Sequence, residues 1–348
     1  MSQVLVTGGT GFVGAHVAVR LLDAGHTVRA TVRSKKREAD VREMVKNGGA
    51  SDAKLSVVEA DLTSDAGWAE AMAGCDYVMH VASPLPAGEP KDPDELIRPA
   101  VDGVLRVLKF ARDAKVKRVV FTSTCGAIYY GHPKREKPFD ETDWTNLDGQ
   151  MSTYVRSKAL AERAAWDFMK KEGGALELSV VNPSGIFGPA LAKDYSSSLE
   201  LIGRLLNGMS GVPRLFFSVV DVRDVAELHL LAMTAPEAKG ERFIASSGRQ
   251  FSMMEIARLL RQRLGPAASK VPTREMPDWV VRVVSTFKSE LKPLLPLLSN
   301  VKSVTSEKAQ RVLGWKPRPP EEALLATAES LIHFGMIAGA PAALKNAG

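Results

Sequence analysis

A tyrosine and a lysine lie four residues apart in the middle of the chain, at Tyr154 and Lys158. On a helix this spacing places both side chains on one face, one turn from each other. A free phenol titrates at about pH 10 and is a poor acid–base group at neutral pH, but a nearby ammonium group lowers its pKa. The pair therefore predicts that Tyr154 gives a proton to a substrate carbonyl oxygen as a hydride reaches the carbon.

The same spacing recurs at Tyr130 and Lys134, where Gly131 and Pro133 lie between the two residues. Both intervening residues disfavour a helix, so the two side chains need not share a face. The segment 152–171 has a helical pattern without such a break. We therefore assign the acid–base role to Tyr154 and expect Tyr130 to lack a fixed lysine partner.

Three hydroxyl-bearing residues, Thr122, Ser123 and Thr124, follow a strand-like apolar run. One of these hydroxyls can hydrogen-bond a substrate carbonyl and hold it for reaction. The alternative is that the hydroxyls only cap the end of the strand. This stretch by itself favours neither interpretation.

These groups need a scaffold, and its most specific sign is a glycine-rich turn within residues 4–14. An apolar strand-like run opens the segment, and Gly8, Gly11 and Gly14 follow at three-residue spacing. One glycine permits the tight turn, one lets backbone approach a pyrophosphate, and one lets the next helix pack on the strand. That helix, at 15–22, begins with unpaired N–H groups that favour an anion. The segment predicts dinucleotide binding.

The end of the second predicted strand, 27–32, indicates which dinucleotide binds. NAD enzymes usually place Asp or Glu there, whereas this strand ends in Arg33, followed by further cations in 34–37. Arginine grips a phosphate in forked geometry, so the pattern favours NADPH over NADH, with a solvated basic turn as the alternative. After the third strand, Asp61 can accept a hydrogen bond from an adenine amino group or cap the next helix.

Strand-like and helical patterns alternate through the first half of the chain, which predicts an α/β fold with a doubly wound parallel sheet of the Rossmann type. We expect a dinucleotide-binding domain at 1–186, to which 216–236 returns as a strand and a helix. The segments 187–215 and 237–348 are expected to form a smaller, mostly helical substrate-binding region over the carboxyl ends of the strands. The predicted strands are 27–32, 55–59, 77–81, 118–123, 176–181 and 216–220, and the predicted helices include 94–114, 152–171 and 223–233.

Composition excludes several other classes. The net charge of +6 comes from dispersed cations, which suits an anionic cofactor better than nucleic acid. The most apolar late stretch is interrupted by charges and prolines, so no membrane span is expected. There is no metal-binding motif, and two unpaired cysteines indicate a reducing compartment. With a strand starting at about the fourth residue, no signal peptide is expected; we predict a cytoplasmic monomer or homodimer.

With these motifs the chain resembles the extended short-chain dehydrogenases/reductases, and within them the dihydroflavonol-4-reductase and cinnamoyl-CoA reductase branch. The resemblance spans nearly the whole chain and is tightest before residue 190. It implies a Rossmann domain, an NADP(H) cofactor and a small carbonyl or alcohol substrate. The segments that carry it are 7–14, 28–33, 60–62, 80–84, 121–124, 154–158, 182–184, 188–189 and 308–317.

Carried over by position, the family's catalytic tyrosine and lysine fall on Tyr154 and Lys158, which also adjoin the cofactor. Its catalytic serine falls on Thr124, which keeps the hydroxyl but adds a methyl group that restricts its rotamers. The neighbouring Ser123 therefore stays an alternative. The resemblance puts Arg33 at the 2′-phosphate. The other cofactor positions that it implies are Gly8, Thr10, Gly11, Phe12, Val13, Gly14, Asp61, Leu62, Val81, Ala82, Ser83, Pro183 and Gly185.

The first functional hypothesis is an NADPH-dependent reductase of an aldehyde or ketone with an apolar or aromatic body. The helically spaced apolar residues of 276–298 indicate packing or the floor of such a substrate pocket. One alternative is a nucleotide-sugar epimerase or dehydratase that uses NAD, against which Arg33 and this apolar stretch weigh. A second alternative is a non-catalytic NADPH sensor, which has no need of Tyr154 and Lys158 together.

Overall fold

A parallel sheet of seven strands forms the centre of the protein. The computed structural model describes residues 1–84, 90–133, 135–193, 196–287, 295 and 297–338. Its strands are β1 (Gln3–Val6), β2 (Thr27–Val32), β3 (Leu55–Glu59), β4 (Tyr77–His80), β5 (Arg118–Thr122), β6 (Glu177–Pro183), β7 (Gly185–Phe187), β8 (Val212–Pro213), β9 (Phe216–Asp221), β10 (Arg242–Ala245), β11 (Gln250–Ser252) and β12 (Glu275–Met276).

The order of the main sheet is β10-β6-β5-β4-β1-β2-β3, and each neighbouring pair runs parallel. The winding direction reverses between β1 and β4. At such a point the connections leave a crevice at the carboxyl ends of the strands, where ligands of open α/β sheets bind. The predicted doubly wound Rossmann-type sheet is confirmed.

Helices cover both faces of this sheet. One layer contains α1, α2 and α8, and the other contains α3, α4 and α6. Each layer packs against the sheet and forms a separate apolar core with it. The α-helices are α1 (Phe12–Asp23), α2 (Glu38–Asn47), α3 (Trp68–Met72), α4 (Asp94–Asp113), α5 (Gly126–Tyr129), α6 (Thr153–Glu172), α7 (Ser197–Asn207), α8 (Val222–Thr234), α9 (Met253–Leu264), α10 (Asp278–Phe287), α11 (Glu307–Leu313) and α12 (Pro320–His333).

A second region has a core of its own, built from α7, α9 and α12 against two small sheets. In the first small sheet β9 pairs parallel with β7 and antiparallel with β11, and in the second β12 pairs with β8. Before α12, the segment around Trp315 returns to the main body, where the Trp315 indole donates to the Asp224 carbonyl oxygen at 2.9 Å. The Arg318 backbone N–H donates to the Asp224 carboxylate at 2.6 Å, which fixes this segment on α8.

The structure differs from the predicted division of the chain at two strands. Residues 216–221 form a strand, but it belongs to the small sheet, and only the helix that follows packs on the main sheet. The seventh strand of the main sheet is Arg242–Ala245, which lies inside the segment predicted as substrate region. Apolar runs predict that a strand forms, whereas its partners depend on contacts far away in sequence, so neither assignment followed from local pattern.

Of the two interpretations of the late apolar stretch, packing or the floor of a pocket, the first holds only in part. Helix α10 buries Val281 but leaves Trp279, Val283 and Phe287 exposed at 68%, 52% and 86%, so its helical spacing does not reflect complete packing. The rest of that stretch is described only at 295, 297 and 298. Within the described ranges, no helix has the length and apolar character needed to cross a membrane.

Candidate active site at the carboxyl ends of the strands

The glycine-rich turn between β1 and α1 has the geometry that its sequence predicts. Gly8 adopts a φ of +73°, a left-handed conformation that favours glycine. A Cβ on Gly14 would overlap the carbonyl oxygen of Gly8, because the first turn of α1 lies directly on the loop. Gly11 is the N-cap of α1 and supplies no side-chain cap. The N–H groups of this first turn therefore remain available to an anion.

Sequence reasoning missed the residue that joins this turn to β4. The Thr7 hydroxyl oxygen accepts hydrogen bonds from the backbone N–H groups of Val81 at 3.0 Å and Ala82 at 2.9 Å. It also lies 3.0 Å from Nδ1 of His80, to which its own proton is free to donate. Burial lowers the pKa of His80 to about 3, so this imidazole is neutral and suited to accept. In the sequence, Thr7 had drawn attention only as the first residue of the glycine-rich segment 7–14.

In the cationic cluster after β2, some side chains form ion pairs with nearby carboxylates, whereas Arg33 forms none with the described residues. Lys35 pairs with Glu38 at 3.1 Å, and Arg37 pairs with Asp40 at 2.8 Å. Arg33 is exposed, and within the part of the chain that the structure describes its guanidinium makes no hydrogen bond or ion pair. Of the two interpretations of this cluster, the uncommitted guanidinium favours the phosphate-binding one.

Asp61 and Leu62 follow β3 at the same edge of the sheet. One carboxylate oxygen of Asp61 accepts from both the N–H and the hydroxyl of Thr63, at 2.7 and 2.6 Å. These bonds, with a smaller contribution from the charges of Arg33 and Arg106, hold the pKa of Asp61 below its usual value. The carboxylate thus caps its own loop and stays ionised beside Arg33.

Tyr154 and Lys158 lie on one face of α6, with the Lys158 ammonium 6.0 Å from the centre of the Tyr154 ring. The Ser152 hydroxyl starts this helix by accepting from the Val155 N–H at 3.3 Å. Burial lowers the pKa of Lys158 to about 8, against which the charge of Glu162 acts. Burial also raises the pKa of Tyr154 above its ordinary value. The expected lowering of the phenol pKa by Lys158 is therefore not seen, because burial removes the hydration that would stabilise the phenolate.

The hydroxyls after β5 have different environments. Ser123 is buried and donates to the carboxylate of Glu162, so its hydroxyl is already committed. Thr124 is half-buried, and its hydroxyl oxygen accepts the Gly126 N–H at 3.1 Å, its one hydrogen bond to the described residues. A Cβ on Gly126 would touch both Thr124 and Val155, which puts the Thr124 turn against the first turn of α6. Of the two candidates, Thr124 is the one with a proton still to donate.

A buried ionic cluster behind these hydroxyls was not foreseen. The Glu162 carboxylate, fully buried, accepts from Ser123, from the Asn182 amide at 2.8 Å and from Arg242 Nε at 2.6 Å. The Asn182 amide also donates to the Thr124 carbonyl oxygen at 3.2 Å. The only sequence signal was that Glu162 follows Lys158 by four residues, on the same helix face.

The remaining predicted cofactor positions lie at the carboxyl ends of β4 and β6. Val81, Ala82 and Ser83 are half-buried directly after β4. Pro183 ends β6, and its carbonyl oxygen accepts from the Cys125 N–H at 2.8 Å. These positions and the glycine turn border the crevice at the sheet's reversal. Thr10 and Val13 are half-buried, Gly11 is exposed, and Phe12 is buried against the core of the second region.

Tyr130 does have a lysine nearby, contrary to expectation. Helix α5 ends before Tyr130, and Lys134 lies outside the described residues. Instead, Lys302 reaches in from the distant C-terminal part, with its ammonium 5.7 Å from the Tyr130 ring centre and 2.9 Å from the Tyr129 carbonyl oxygen. This contact could not be read from local spacing, because the two residues are joined only by the tertiary fold.

Comparison with known proteins gives a consistent picture. A family model described as "NAD dependent epimerase/dehydratase family" matches residues 4–245. Among curated proteins, cinnamoyl-CoA reductase CAD2 of Medicago truncatula is 34% identical over 94% of this chain and 95% of its own length. Tetraketide alpha-pyrone reductase 2 of Arabidopsis thaliana is 36% identical over 76% of this chain and 83% of its own. Dihydroflavonol 4-reductase of Hordeum vulgare is 34% identical over 75% of this chain and 74% of its own length.

Solved structures show the same fold over nearly the whole chain. Yeast methylglyoxal/isovaleraldehyde reductase Gre2, complexed with NADPH, superimposes with a TM-score of 0.79 at 27% identity. The match covers 96% of this chain and 100% of that one. Gre2 of Candida albicans, also in complex with NADPH, superimposes with a TM-score of 0.79 at 25% identity. That match covers 96% of this chain and 99% of the Candida protein.

The Thr7 hydrogen bonds predict a stability effect. Replacing Thr7 with Val keeps the shape but leaves the N–H groups of Val81 and Ala82 without their acceptor, at a cost of about 2–4 kcal/mol in the free energy of unfolding. Thr10→Val, in the same loop, should change it by less than about 0.5 kcal/mol. Urea titration followed by circular dichroism measures both. Equal stabilities of the two variants would contradict the role given to Thr7.

Proposed function

This chain belongs to the NAD dependent epimerase/dehydratase family, in the branch of the cinnamoyl-CoA and dihydroflavonol reductases, and on that premise we propose that it reduces an aldehyde or ketone to an alcohol with NADPH. The observation that carries the proposal is the pairing of Tyr154 with a buried lysine on one face of α6, next to the free hydroxyl of Thr124. Reductases among the relatives, and Gre2 with its NADPH, support it.

The residues around the crevice fit this cofactor. The helix N-terminus at Gly11 offers N–H groups to a pyrophosphate, and the absence of a Cβ at Gly14 lets that helix lie on the turn. The uncommitted guanidinium of Arg33 suits a 2′-phosphate. Near the end of β6, the Ser184 hydroxyl is buried without a hydrogen-bond partner in the described part of the chain, as expected of a group that a ligand satisfies.

In the proposed mechanism, bound NADPH supplies the hydride that adds to the carbonyl carbon. Thr124 donates a hydrogen bond to the carbonyl oxygen and orients it. The Tyr154 hydroxyl then transfers its proton to that oxygen, and the alcohol forms as the tyrosine becomes a phenolate. A phenol whose pKa is raised by burial remains protonated at neutral pH, which is the form that reduction requires. Lys158 binds the ribose and stabilises the phenolate.

The substrate is proposed to have an apolar or aromatic body. Its support is the apolar face that α10 exposes in the second region, with Trp279, Val283 and Phe287 accessible to a ligand. A panel of aromatic and branched aliphatic aldehydes and ketones, followed by the loss of NADPH absorbance, tests this class. Turnover confined to polar sugar nucleotides would contradict it.

Arg33 should determine the preference for NADPH over NADH. Arg33→Asp removes a charge-assisted hydrogen bond worth about 1.5–3 kcal/mol and adds repulsion, so the Kd for NADPH should rise by about 10- to 100-fold or more. The Kd for NADH should change little. Lys117→Asp makes the same change in net charge at an exposed position at the opposite end of the strands, and controls for long-range attraction. Fluorescence titration with both cofactors tests this. Equal wild-type affinities would contradict the assignment.

Tyr154→Phe should abolish most turnover, by about 10²- to 10⁴-fold, while NADPH binding stays close to wild type. The lost hydroxyl acts on the substrate oxygen and not on the cofactor. Tyr130→Phe is the matched control, since it removes the same group from another tyrosine that has a lysine nearby. A larger loss of turnover in the Tyr130 variant would reverse the assignment.

The hydroxyls of Thr124 and Ser123 should contribute differently to turnover, measured at saturating NADPH. Thr124→Val, nearly isosteric, should lower turnover by about 10²-fold, as loss of one oxyanion donor does. Thr124→Ser keeps the hydroxyl and should retain substantial activity. Ser123→Ala should lower turnover less than about tenfold, because its hydroxyl serves Glu162. A crippled Ser123→Ala beside an active Thr124→Val would move the carbonyl-orienting role to Ser123.

A further inference from the structure

Glu162 links three strands of the sheet to the helix that carries Tyr154 and Lys158. Its carboxylate receives Ser123 from the end of β5, Asn182 from β6 and Arg242 from β10. No part of Glu162 is exposed, so these contacts, with a longer hydrogen bond of 3.4 Å from the Trp166 indole N–H, compensate its lost hydration.

The same carboxylate is the anion that faces Lys158. Residues 154, 158 and 162 recur at intervals of four along α6, so their side chains share one face. Glu162 is the one charged group found to favour the ammonium form of Lys158 among the residues described.

In the described part of the chain, the other elements around Lys158 offer no second anion. From β4 it faces His80, which is neutral, and from α6 the un-ionised phenol of Tyr154. The neighbouring groups after β5 and in β6 are hydroxyls, the Asn182 amide and the thiol of Cys125, whose pKa is raised by burial so that it stays neutral. The face of α4 buried against α6 is apolar, and the titratable group of α5 is the phenol of Tyr129. Arg242 lies beyond Glu162 and pairs with it.

We propose that Glu162 is a positioning residue of the reductase site, which fixes Asn182 and Ser123 and supplies the negative charge that faces Lys158. This inference rests on the proposed function. Through Asn182, the carboxylate also holds the backbone at Thr124, since one amide group donates to both.

A purely structural carboxylate would have a different signature. If Glu162 only joined strands, its loss would lower stability and leave the pH dependence of the remaining activity unchanged. If it also faces Lys158 with its charge, neutralising it lets the desolvated ammonium lose its proton at a lower pH. Activity that requires charged Lys158 falls as pH rises through the lysine pKa, so the alkaline limb should move to lower pH.

The test is the pH profile of Glu162→Gln, which keeps the size of the side chain and removes the charge. In the wild type, kcat/KM for isovaleraldehyde or an aromatic aldehyde with NADPH should fall at about pH 8. In Glu162→Gln the fall should begin about one pH unit lower. NADPH affinity, measured against pH by fluorescence, should show the same displacement without any turnover, because Lys158 binds the ribose.

Glu141→Gln is the matched control. Glu141 is also buried and holds β10, accepting from the Ile244 N–H at 2.9 Å, but it does not face Lys158. Its neutralisation should leave the alkaline limb in place. Glu162→Asp keeps the charge on a shorter side chain, so it should restore the wild-type limb while kcat stays below wild type.

Glu162→Gln leaves Arg242 buried without its partner, which threatens folding. The variant Glu162→Gln/Arg242→Met removes both charges and should fold with the same displaced limb. A folded variant whose profile superimposes on wild type would overturn the inference, as would failure of both variants to fold, which makes Glu162 a folding determinant only. A wild type that binds no NADPH and reduces no aldehyde or ketone contradicts the proposed function instead.

Discussion

The burial of a lysine beside the crevice is the constraint on which much of this structure depends. An ammonium group that is desolvated at Lys158 needs a nearby anion, and Glu162 supplies it one helical turn later. A fully buried carboxylate in turn needs its own cation, which is Arg242. Arg242 comes from the edge strand of the main sheet, so the chain returns to this sheet between two parts of the second region. The helix α6, which carries Tyr154 and Lys158, and the edge strand β10 are therefore coupled by charge.

The opposite wall of the crevice is set by backbone geometry. The left-handed turn at Gly8 and the close approach of α1 leave no room for side chains, and the Thr7 hydroxyl binds the loop after β4 to this turn. Both walls thus meet at the reversal between β1 and β4. The cofactor positions that the family resemblance implies lie around this point because the carboxyl ends of parallel strands share one edge of a sheet.

Burial affects the two members of the Tyr154–Lys158 pair in opposite directions on the pH scale. It raises the pKa of the phenol and lowers that of the ammonium, since in each case the charged form loses hydration. The phenol of Tyr154 therefore stays protonated, and the neighbouring Lys158 ammonium holds its own proton less firmly than an exposed lysine does. A protonated phenol in this setting is suited to donate a proton. The proposed direction, from carbonyl to alcohol, agrees with this balance.

The sequence by itself determined the parallel sheet, the glycine turn, the helix that pairs Tyr154 with Lys158 and the cation after β2, because each of these depends on residues adjacent in the chain. Only the tertiary structure decided which hydroxyl after β5 is free, since Ser123 is occupied by a carboxylate thirty-nine residues later. It also decided that Arg242–Ala245 joins the main sheet, that Lys302 lies beside Tyr130 and that Arg242 neutralises Glu162. These are long-range contacts and desolvation effects, which depend on what surrounds a residue in space and leave no periodic trace in the sequence.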